Sequence, residues 1–287
     1  MVARTRKQLR RHNIRAKKRL GQNFLLDKGI LAQLAAAAEL SLTDTVLEIG
    51  PGSGNLTVEL ARRAGAVIAV ETDRDLEPVL AANLSEFDNI QVIWGDFLEQ
   101  SLESLWQLAP TGLDGERKVV ANLPYYITSP VLIKLLTAAG HRPRLAVILV
   151  QLEVAERLVA EPGTKAYGSL SVLTQYFTCP ELVLKVPPAA FFPRPKVWSA
   201  AIRLRFRDQP AVRVQDEEFF FKVVRAAFGH RRKTLLNSLH YDLGERMAKE
   251  DIATALSRAG IDDKRRGETL NIEEFALLTA ALTELLR

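Results

Sequence analysis

Apolar runs alternate with helical patterns between about residue 28 and residue 180, and this alternation constrains the fold more than any other feature. The runs are rich in Val, Ile and Leu, as expected for strands that are buried on both faces. Such strands, separated by helices, are typical of a parallel sheet covered on both sides. The chain is therefore predicted to be an α/β protein with a doubly wound sheet. The predicted strands are residues 45–49, 66–70, 90–94, 118–121 and 145–150.

The pattern changes after residue 180. Residues 182–186 and 197–206 are predicted strands separated by four prolines, and we expect them to close the sheet as an antiparallel pair. Beyond about residue 208 the strand signals disappear, and a small all-α C-terminal domain is predicted. Helices are expected near 28–40, 55–64, 74–85, 99–108, 129–139, 152–160, 169–178, 216–229, 231–240, 249–259 and 271–286. The predicted organisation is an arm over residues 1–19, an α/β domain over 20–207 and a helical domain over 208–287.

Positive charge is concentrated in the arm. Residues 1–19 contain nine of the 39 Lys and Arg residues and no acid, so the rest of the chain has a net charge of about −4. A basic arm on a nearly neutral body favours a polyanionic partner, most simply a nucleic acid. A solvated terminus that binds nothing is the alternative.

Composition argues against several classes of protein. Cys179 is the only cysteine, which excludes a disulfide framework and a Cys-rich metal site; it is interpreted as a core residue. The four histidines lack ligand spacing, so no metal is predicted. No apolar run approaches the roughly 18 residues of a membrane span, and no secretory signal pattern is present. A cytoplasmic protein is expected.

A glycine-rich turn follows the first predicted strand. The sequence Gly50-Pro51-Gly52-Ser53-Gly54 is preceded by Glu48 and followed by a helical pattern. Glycines at a strand-to-helix turn let the backbone approach a ligand closely. The G-x-G-x-G spacing is commoner for S-adenosylmethionine than for a dinucleotide, although a dinucleotide or a purely structural turn remains an alternative.

Acidic residues end the next two predicted strands. Glu71 lies about 20 residues after the glycines, the usual position for binding ribose hydroxyls. Asp96 is placed to accept a hydrogen bond from an adenine amino group, with Phe97 beside the ring. Asp73 is expected to cap the helix near residue 74. Because parallel strands end at one edge of the sheet, these carboxylates are predicted to line one pocket.

The sequence Asn122-Leu123-Pro124-Tyr125 follows another predicted strand. The Asn122 side-chain oxygen and the Leu123 carbonyl oxygen are each suited to accept an N–H from an exocyclic amine. Pro124 restricts the backbone so that the two acceptors converge, and Tyr125 offers a ring for stacking. A plain proline-containing turn is the alternative. These residues predict a site that holds a planar base by its amino group.

Together these blocks resemble the rRNA adenine N6-dimethyltransferases, and within that family the bacterial enzymes that act on small-subunit (16S) rRNA. The resemblance extends from about residue 17 to residue 236. It is carried by RLGQNFLLD, LEIGPGSGNLT, GDF, ANLPYYITSP, QLEVAERLVAEPGTKAYGSLSVLTQYF, PPAAFFPRPKVWSA and FGHRRKTLLNSL.

The resemblance implies a Rossmann-like methyltransferase fold and a set of site residues. The implied contacts to S-adenosylmethionine are Gln22, Asn23, Leu25, Gly50, Gly52, Glu71, Asp96, Phe97 and Asn122. The target base is expected between Tyr125 and Phe191, with Phe192 as a substitute. Independently of the resemblance, the basic residues Arg194 and Lys196 beside Phe191 and the cluster Arg231, Arg232 and Lys233 are predicted to contact RNA phosphates, with a solvated helix face as the alternative for the cluster.

The implied activity is N6-dimethylation of adenosines, two adjacent ones near the 3′ end of 16S rRNA. The partner is a small ribosomal subunit or its precursor, no membrane is involved, and a monomer is expected. Two acceptors would orient the amine, and no general base is assigned because the proton can leave to solvent. Alternatives are a DNA adenine N6-methyltransferase, a non-catalytic RNA-binding assembly or transcription factor, and a resistance enzyme that methylates large-subunit rRNA.

Overall fold

The computed structural model describes residues 16–17 and 20–286. Apart from Ala16 and Lys17, the predicted basic arm therefore lies outside the described residues. The chain forms two compact units. The first contains residues up to 155 together with 180–206, and the second contains 156–179 together with 207–287.

A seven-stranded sheet forms the centre of the first unit, in the order β4-β3-β2-β5-β6-β9-β7. Its strands are β2 (Thr45–Ile49), β3 (Ala66–Glu71), β4 (Ile90–Trp94), β5 (Arg117–Asn122), β6 (Leu145–Gln151), β7 (Thr178–Val186) and β9 (Ser199–Phe206). Neighbouring strands from β4 to β6 are parallel, and β9 pairs antiparallel with β6. A separate two-stranded ribbon joins β1 (Phe24–Leu25) to β8 (Phe191–Phe192).

Helices cover the sheet and form the second unit. They are α1 (Lys28–Ala37), α2 (Asn55–Ala61), α3 (Glu77–Leu84), α4 (Leu102–Trp106), α5 (Thr128–Thr137), α6 (Leu152–Leu158), α7 (Ser169–Phe177), α8 (Glu217–Gly229), α9 (Leu235–Leu243), α10 (Lys249–Arg258) and α11 (Ile272–Leu285). Several begin at a residue whose side chain accepts a hydrogen bond from the first turn. Asp27 caps α1, Asp216 caps α8, and Asn271 forms a capping box with Glu274 at α11.

The central strands of the sheet are buried on both faces, as expected for a parallel sheet covered by helices. Every residue of β2 and β3 is buried, whereas the edge strand β4 is only partly covered. In the parallel register Ile49 pairs with Val70 on one side and with Ala121 on the other. The carboxyl ends of β2, β3 and β5 therefore meet at one edge, which is where an open α/β sheet binds its ligands.

The strand and fold-class predictions are confirmed, including the closing antiparallel pair. The short ribbon of β1 and β8 was not predicted. The helix expected from residue 231 begins at Leu235, so Arg231, Arg232 and Lys233 lie in the preceding turn. The interpretation of Cys179 as a core residue is wrong: it is exposed and lies in β7, where alternate side chains face away from the core.

The two compact units divide the chain differently from the predicted boundary near residue 208, because residues 156–179 group with the C-terminal helices. The assignment of separate functions to the predicted domains stays a prediction. Within the described residues, no helix is long and apolar enough to cross a bilayer.

Candidate active site

A pocket opens at the carboxyl edge of the sheet, within the first unit. The space it lines is about 990 Å³, part of which is open solvent. The structure brings together here most of the site residues predicted from sequence. They are Gln22, Asn23, Leu25, Gly50, Gly52, Glu71, Asp96, Phe97, Asn122, Leu123, Pro124 and Tyr125.

The glycine loop forms one wall of the pocket. Gly50 and Gly52 have φ angles of +72° and +58°, a region that disfavours residues with a Cβ atom. A Cβ atom on Gly52 would also lie 3.2 Å from the ring of Phe24. The Gly52 N–H donates a hydrogen bond of 3.0 Å to Oε2 of Glu71. The loop is thereby fixed to the end of β3.

Glu71 is held in place by the backbone. Besides the Gly52 N–H, its Oε1 accepts a 2.8 Å hydrogen bond from the N–H of Asp73. Burial raises the pKa of Glu71, although these hydrogen bonds oppose the change. The side chain is thus oriented toward the pocket, at the position predicted to bind ribose hydroxyls.

A polar network supports this end of β3. The Asp73 carboxylate accepts hydrogen bonds from Lys17 Nζ at 2.6 Å and from Gln22 Nε2 at 2.7 Å. Burial acts to raise the pKa of Asp73, but the bonds from Lys17 and Gln22 hold it below its usual value. As predicted, Asp73 also caps the next turn, by accepting from the N–H of Asp75.

Glu48 lies at the bottom of the pocket and is only 1% exposed. Burial raises its pKa to about 8, and the nearby Glu71 carboxylate contributes further. Its Oε2 atom has no hydrogen-bond partner within the described structure. Because burial keeps this carboxyl group neutral near pH 7, it favours a hydrogen-bonding group beside it rather than a cation.

The segment after β4 forms the opposite wall. The Asp96 side chain accepts a 2.8 Å hydrogen bond from the N–H of Leu98 and caps a short turn. Lys134, from α5, donates to the carbonyl oxygens of Phe97, Leu98 and Gln100 and lies over the ring of Phe97. Three carbonyl contacts from one ammonium group fix the position of this segment.

The Asn122 amide is oriented by a contact across the pocket. Its Nδ2 donates a 3.1 Å hydrogen bond to the carbonyl oxygen of Asn23. The Leu123 N–H donates to the carbonyl oxygen of Leu149 at 3.2 Å, so the Asn122–Leu123 peptide is fixed as well. Among residues 16–17 and 20–286, no hydrogen bond reaches the side-chain oxygen of Asn122 or the carbonyl oxygen of Leu123, so both are left as acceptors.

Two tyrosines follow these acceptors. The Tyr125 hydroxyl shares a 2.8 Å hydrogen bond with Oγ of Ser199, which fixes the far end of its ring. Burial raises the pKa of Tyr125, so the hydroxyl stays neutral near physiological pH. Tyr126 is exposed, and its ring lies so close to Gly21 that a Cβ atom there would be 3.2 Å away.

The structure does not support Phe191 as a stacking residue. Phe191 is 2% exposed and packs in the core with Leu31 and Leu34, so its ring has no face free for a base. The next residue alternates to the other side of the ribbon, as β-strand geometry requires. Phe192 is accordingly 36% exposed.

The predicted RNA-binding residues are exposed. Arg194 and Lys196 lie in the first unit, in the segment between β8 and β9. Arg231 is bound within the second unit, where it donates to the carbonyl oxygen of Lys165 at 2.8 Å and to Glu268 at 3.2 Å. Arg232 and Lys233 follow it in the same turn, and the Lys233 ammonium lies 4.4 Å from the ring centre of Tyr241.

Sequence analysis missed several residues that hold the parts of the site in position. Besides Lys17 and Lys134, Asn55 donates a 3.1 Å hydrogen bond to the carbonyl oxygen of Leu25, and Ser199 holds Tyr125. These partners are 30 and 74 residues apart in sequence. Only the folded structure brings such distant residues together, so no local sequence pattern could have identified them.

The pocket fits S-adenosylmethionine on its own chemistry. The positive φ angles of the glycine loop bring the backbone close to a ligand, and Glu71 and Asp96 supply acceptors for hydroxyl and amino groups.

Comparison with known proteins gives an independent result. Residues 13–283 match the model of the family described as ribosomal RNA adenine dimethylase. A protein from Geobacillus thermodenitrificans named ribosomal RNA small subunit methyltransferase A is 50% identical over 99% of this chain and 97% of its own. A protein of the same name from Moorella thermoacetica is 51% identical over 93% of this chain and 92% of its own.

Solved structures with the same fold include a dimethyladenosine transferase from Plasmodium falciparum, with a TM-score of 0.77, 25% identity and coverage of 91% of this chain and 98% of that one. The 23S rRNA methyltransferase ErmE gives a TM-score of 0.67 and 32% identity, covering 91% of this chain and all of its own.

Proposed function

Because the chain belongs to the ribosomal RNA adenine dimethylase family, we propose that it methylates the N6 amino group of adenosines in small-subunit rRNA, with S-adenosylmethionine as methyl donor. Relatives at about 50% identity carry the small-subunit name, whereas the 23S rRNA enzyme is 32% identical. Small-subunit rRNA is therefore preferred to large-subunit rRNA as the substrate. The product is N6,N6-dimethyladenosine, and the two adjacent adenosines near the 3′ end of 16S rRNA are its proposed location.

The orientation of the Asn122 amide carries this proposal. Because Nδ2 donates to the Asn23 carbonyl oxygen, Oδ1 is the atom left to accept an N–H from the target amine. The Leu123 carbonyl oxygen accepts the second N–H. Two acceptors hold the amino nitrogen with its lone pair directed away from them, toward the cofactor side of the pocket.

Catalysis consists of positioning the adenine amine with two fixed hydrogen-bond acceptors. Bound S-adenosylmethionine supplies a methyl group that is electrophilic because it is attached to a cationic sulfur. The adenine amine is a weak nucleophile, since its lone pair is delocalised into the ring, and two oriented acceptors favour the pyramidal form. Alignment of this kind is worth several kcal/mol, and preorganised dipoles add to it. The released proton passes to solvent, and after one transfer a single N–H remains for the second.

The remaining residues bind cofactor and base. We assign the ribose hydroxyls to Glu71, the adenine amino group to Asp96, and the cofactor contacts of the N-terminal strand to Gln22, Asn23 and Leu25. On the substrate side we propose Tyr125 and Phe192 as the stacking pair, in place of Tyr125 and Phe191, because only Phe192 is exposed. The target adenosine leaves its helical stack to reach them, and stacking offsets part of that cost.

Basic residues are proposed to bind the parts of the RNA that lie outside the pocket. We propose that Arg194, Lys196, Arg232 and Lys233 bind phosphates, that the helical domain over residues 208–287 serves RNA binding, and that the basic arm adds to it. The protein is proposed to act as a monomer in the cytoplasm, on the small subunit or its precursor.

The decisive experiment is methyl transfer from labelled S-adenosylmethionine to purified small ribosomal subunits that lack the modification. We expect label in small-subunit rRNA, a primer-extension stop at adjacent adenosines, and dimethyladenosine on digestion. Large subunits and duplex DNA are the parallel substrates. Label only in DNA would favour a DNA adenine methyltransferase, and RNA binding without any transfer would favour a non-catalytic factor.

A further inference from the structure

We propose that Trp198 stacks on a base next to the target adenosine and thereby positions the RNA at the pocket, an inference that rests on the proposed function. The residue is not part of the cofactor site or of the acceptor pair. Its position, its exposure and the charge around it together indicate this role.

Position connects Trp198 to the substrate side of the pocket. It directly precedes Ser199, whose Oγ holds the Tyr125 hydroxyl at 2.8 Å. Its carbonyl oxygen accepts a 2.9 Å hydrogen bond from the N–H of Leu152, just beyond the carboxyl end of β6. Since β6 is also the parallel neighbour of β5, which ends at Asn122, Trp198 lies at the same edge of the sheet as the acceptor pair.

The side chain of Trp198 is exposed, which is unusual for so large an apolar residue. It is 49% exposed, whereas Trp106 is 3% exposed. Phe192 and Val197 are also exposed, so the segment 192–198 presents a small apolar surface interrupted by two prolines. Large exposed aromatic residues that are clustered near a binding pocket mark an interaction surface.

Charge identifies the occupant of this surface. Arg194 and Lys196 are exposed, and within the described residues neither forms an ion pair. Aromatic rings alternating with unpaired cations are the arrangement that binds single-stranded nucleic acid, in which bases stack and phosphates are neutralised. Trp198 is therefore assigned to a base, and Arg194 and Lys196 to the adjoining phosphates.

The first test measures kcat/KM for methyl transfer to small subunits. Trp198→Ala is expected to lower kcat/KM roughly 5- to 100-fold, mainly through KM, and Trp198→Phe is expected to retain most of the activity. Leu42→Ala is the matched control, because Leu42 is an exposed apolar residue before β2, at the opposite edge of the sheet. The affinity for S-adenosylmethionine should be unchanged in all three variants.

The second test uses tryptophan fluorescence. A short single-stranded RNA with adjacent adenosines should quench the wild-type protein more than Trp198→Phe, and the difference reports on Trp198 alone. Polyphosphate should give no such difference, because it offers charge without a base. This comparison needs only the conservative variant, so it holds even where Trp198→Ala is poorly folded.

Equal kcat/KM for wild type and Trp198→Ala, or equal quenching for wild type and Trp198→Phe, would overturn the inference. Quenching by polyphosphate equal to that by RNA would overturn it too, since the surface would then recognise only charge. Failure of the wild-type protein to methylate subunits would instead refute the proposed function, so the two failures are distinguishable.

Discussion

Replacing Glu48 with Gln tests the electrostatics of the pocket, because the substitution removes a titratable group and keeps its size. Glu48 is almost completely buried, one of its oxygens has no partner, and its pKa is raised to about 8. In the unfolded chain the pKa is near 4.5. Between these two values the folded protein holds a proton that the unfolded chain has released.

The sign of the pH dependence follows from this difference. The contribution of the neutral carboxyl group to stability is fully present below about pH 4.5 and is lost as the pH rises through about 8. Each pH unit in this window removes about 1.4 kcal/mol. From about pH 6 to about pH 8, the wild type should therefore lose roughly 2 kcal/mol of unfolding free energy that Glu48→Gln keeps.

Urea denaturation of the cofactor-free proteins at these two pH values measures the effect. Contributions from titrating groups that do not interact with Glu48 are present in both proteins and cancel in the difference. Glu86→Gln, at an exposed carboxylate of the same unit, is the control, and its unfolding free energy should fall between the two pH values by the same amount as that of the wild type. If the difference between wild type and Glu48→Gln stays constant within about 0.5 kcal/mol, the account of a buried neutral carboxyl group is refuted.

Three further predictions concern the glycine loop, the stacking pair of Tyr125 and Phe192, and the basic arm. Gly52→Ala should lower the unfolding free energy by about 1–2 kcal/mol and weaken cofactor binding measured by calorimetry, since φ is +58° and the Cβ atom would approach Phe24. Phe192→Ala should lower kcat/KM roughly 5- to 100-fold by loss of stacking, whereas Phe191→Leu should lower thermal stability and keep kcat/KM. Removal of residues 1–15, which carry six Lys and Arg, should weaken RNA binding and reduce the slope of log Kd against log salt by up to about 4.

Each of these has a contrary outcome. Wild-type stability and cofactor affinity in Gly52→Ala would mean that the loop relaxes and that its conformation is not required. Activity that is lost in Phe191→Leu but kept in Phe192→Ala would show that Phe191, and not Phe192, stacks on the target base. An unchanged salt slope after truncation would show that the arm does not bind phosphates.

Much of the sheet was predictable because its strands are short, apolar and buried on both faces. Residues 45–49 and 90–94 have the predicted bounds, and the pocket residues follow because parallel strands end at one edge. Glu71 and Asn122 each end a strand and Asp96 lies two residues beyond the end of β4, so the order of strands along the sequence was enough to predict that the three side chains lie close together.

The rest depends on tertiary contacts. The two-residue strands β1 and β8 are too short to produce a periodic signal, and only their pairing defines them. That pairing decides which of Phe191 and Phe192 faces the core. Because the two residues are adjacent and identical, the sequence alone does not show which one is buried. Lys17 and Lys134 act through partners on distant segments, which no local spacing reveals.

The central claim is that the Asn122 oxygen and the Leu123 carbonyl oxygen hold the target amine for transfer. The most direct test is the single-turnover rate of methyl transfer to small subunits by Asn122→Ala, with S-adenosylmethionine and subunits both saturating. The account predicts a rate at least about 100-fold below wild type, in line with the loss of one preorganised hydrogen-bonding group. A rate within about threefold of wild type would contradict it.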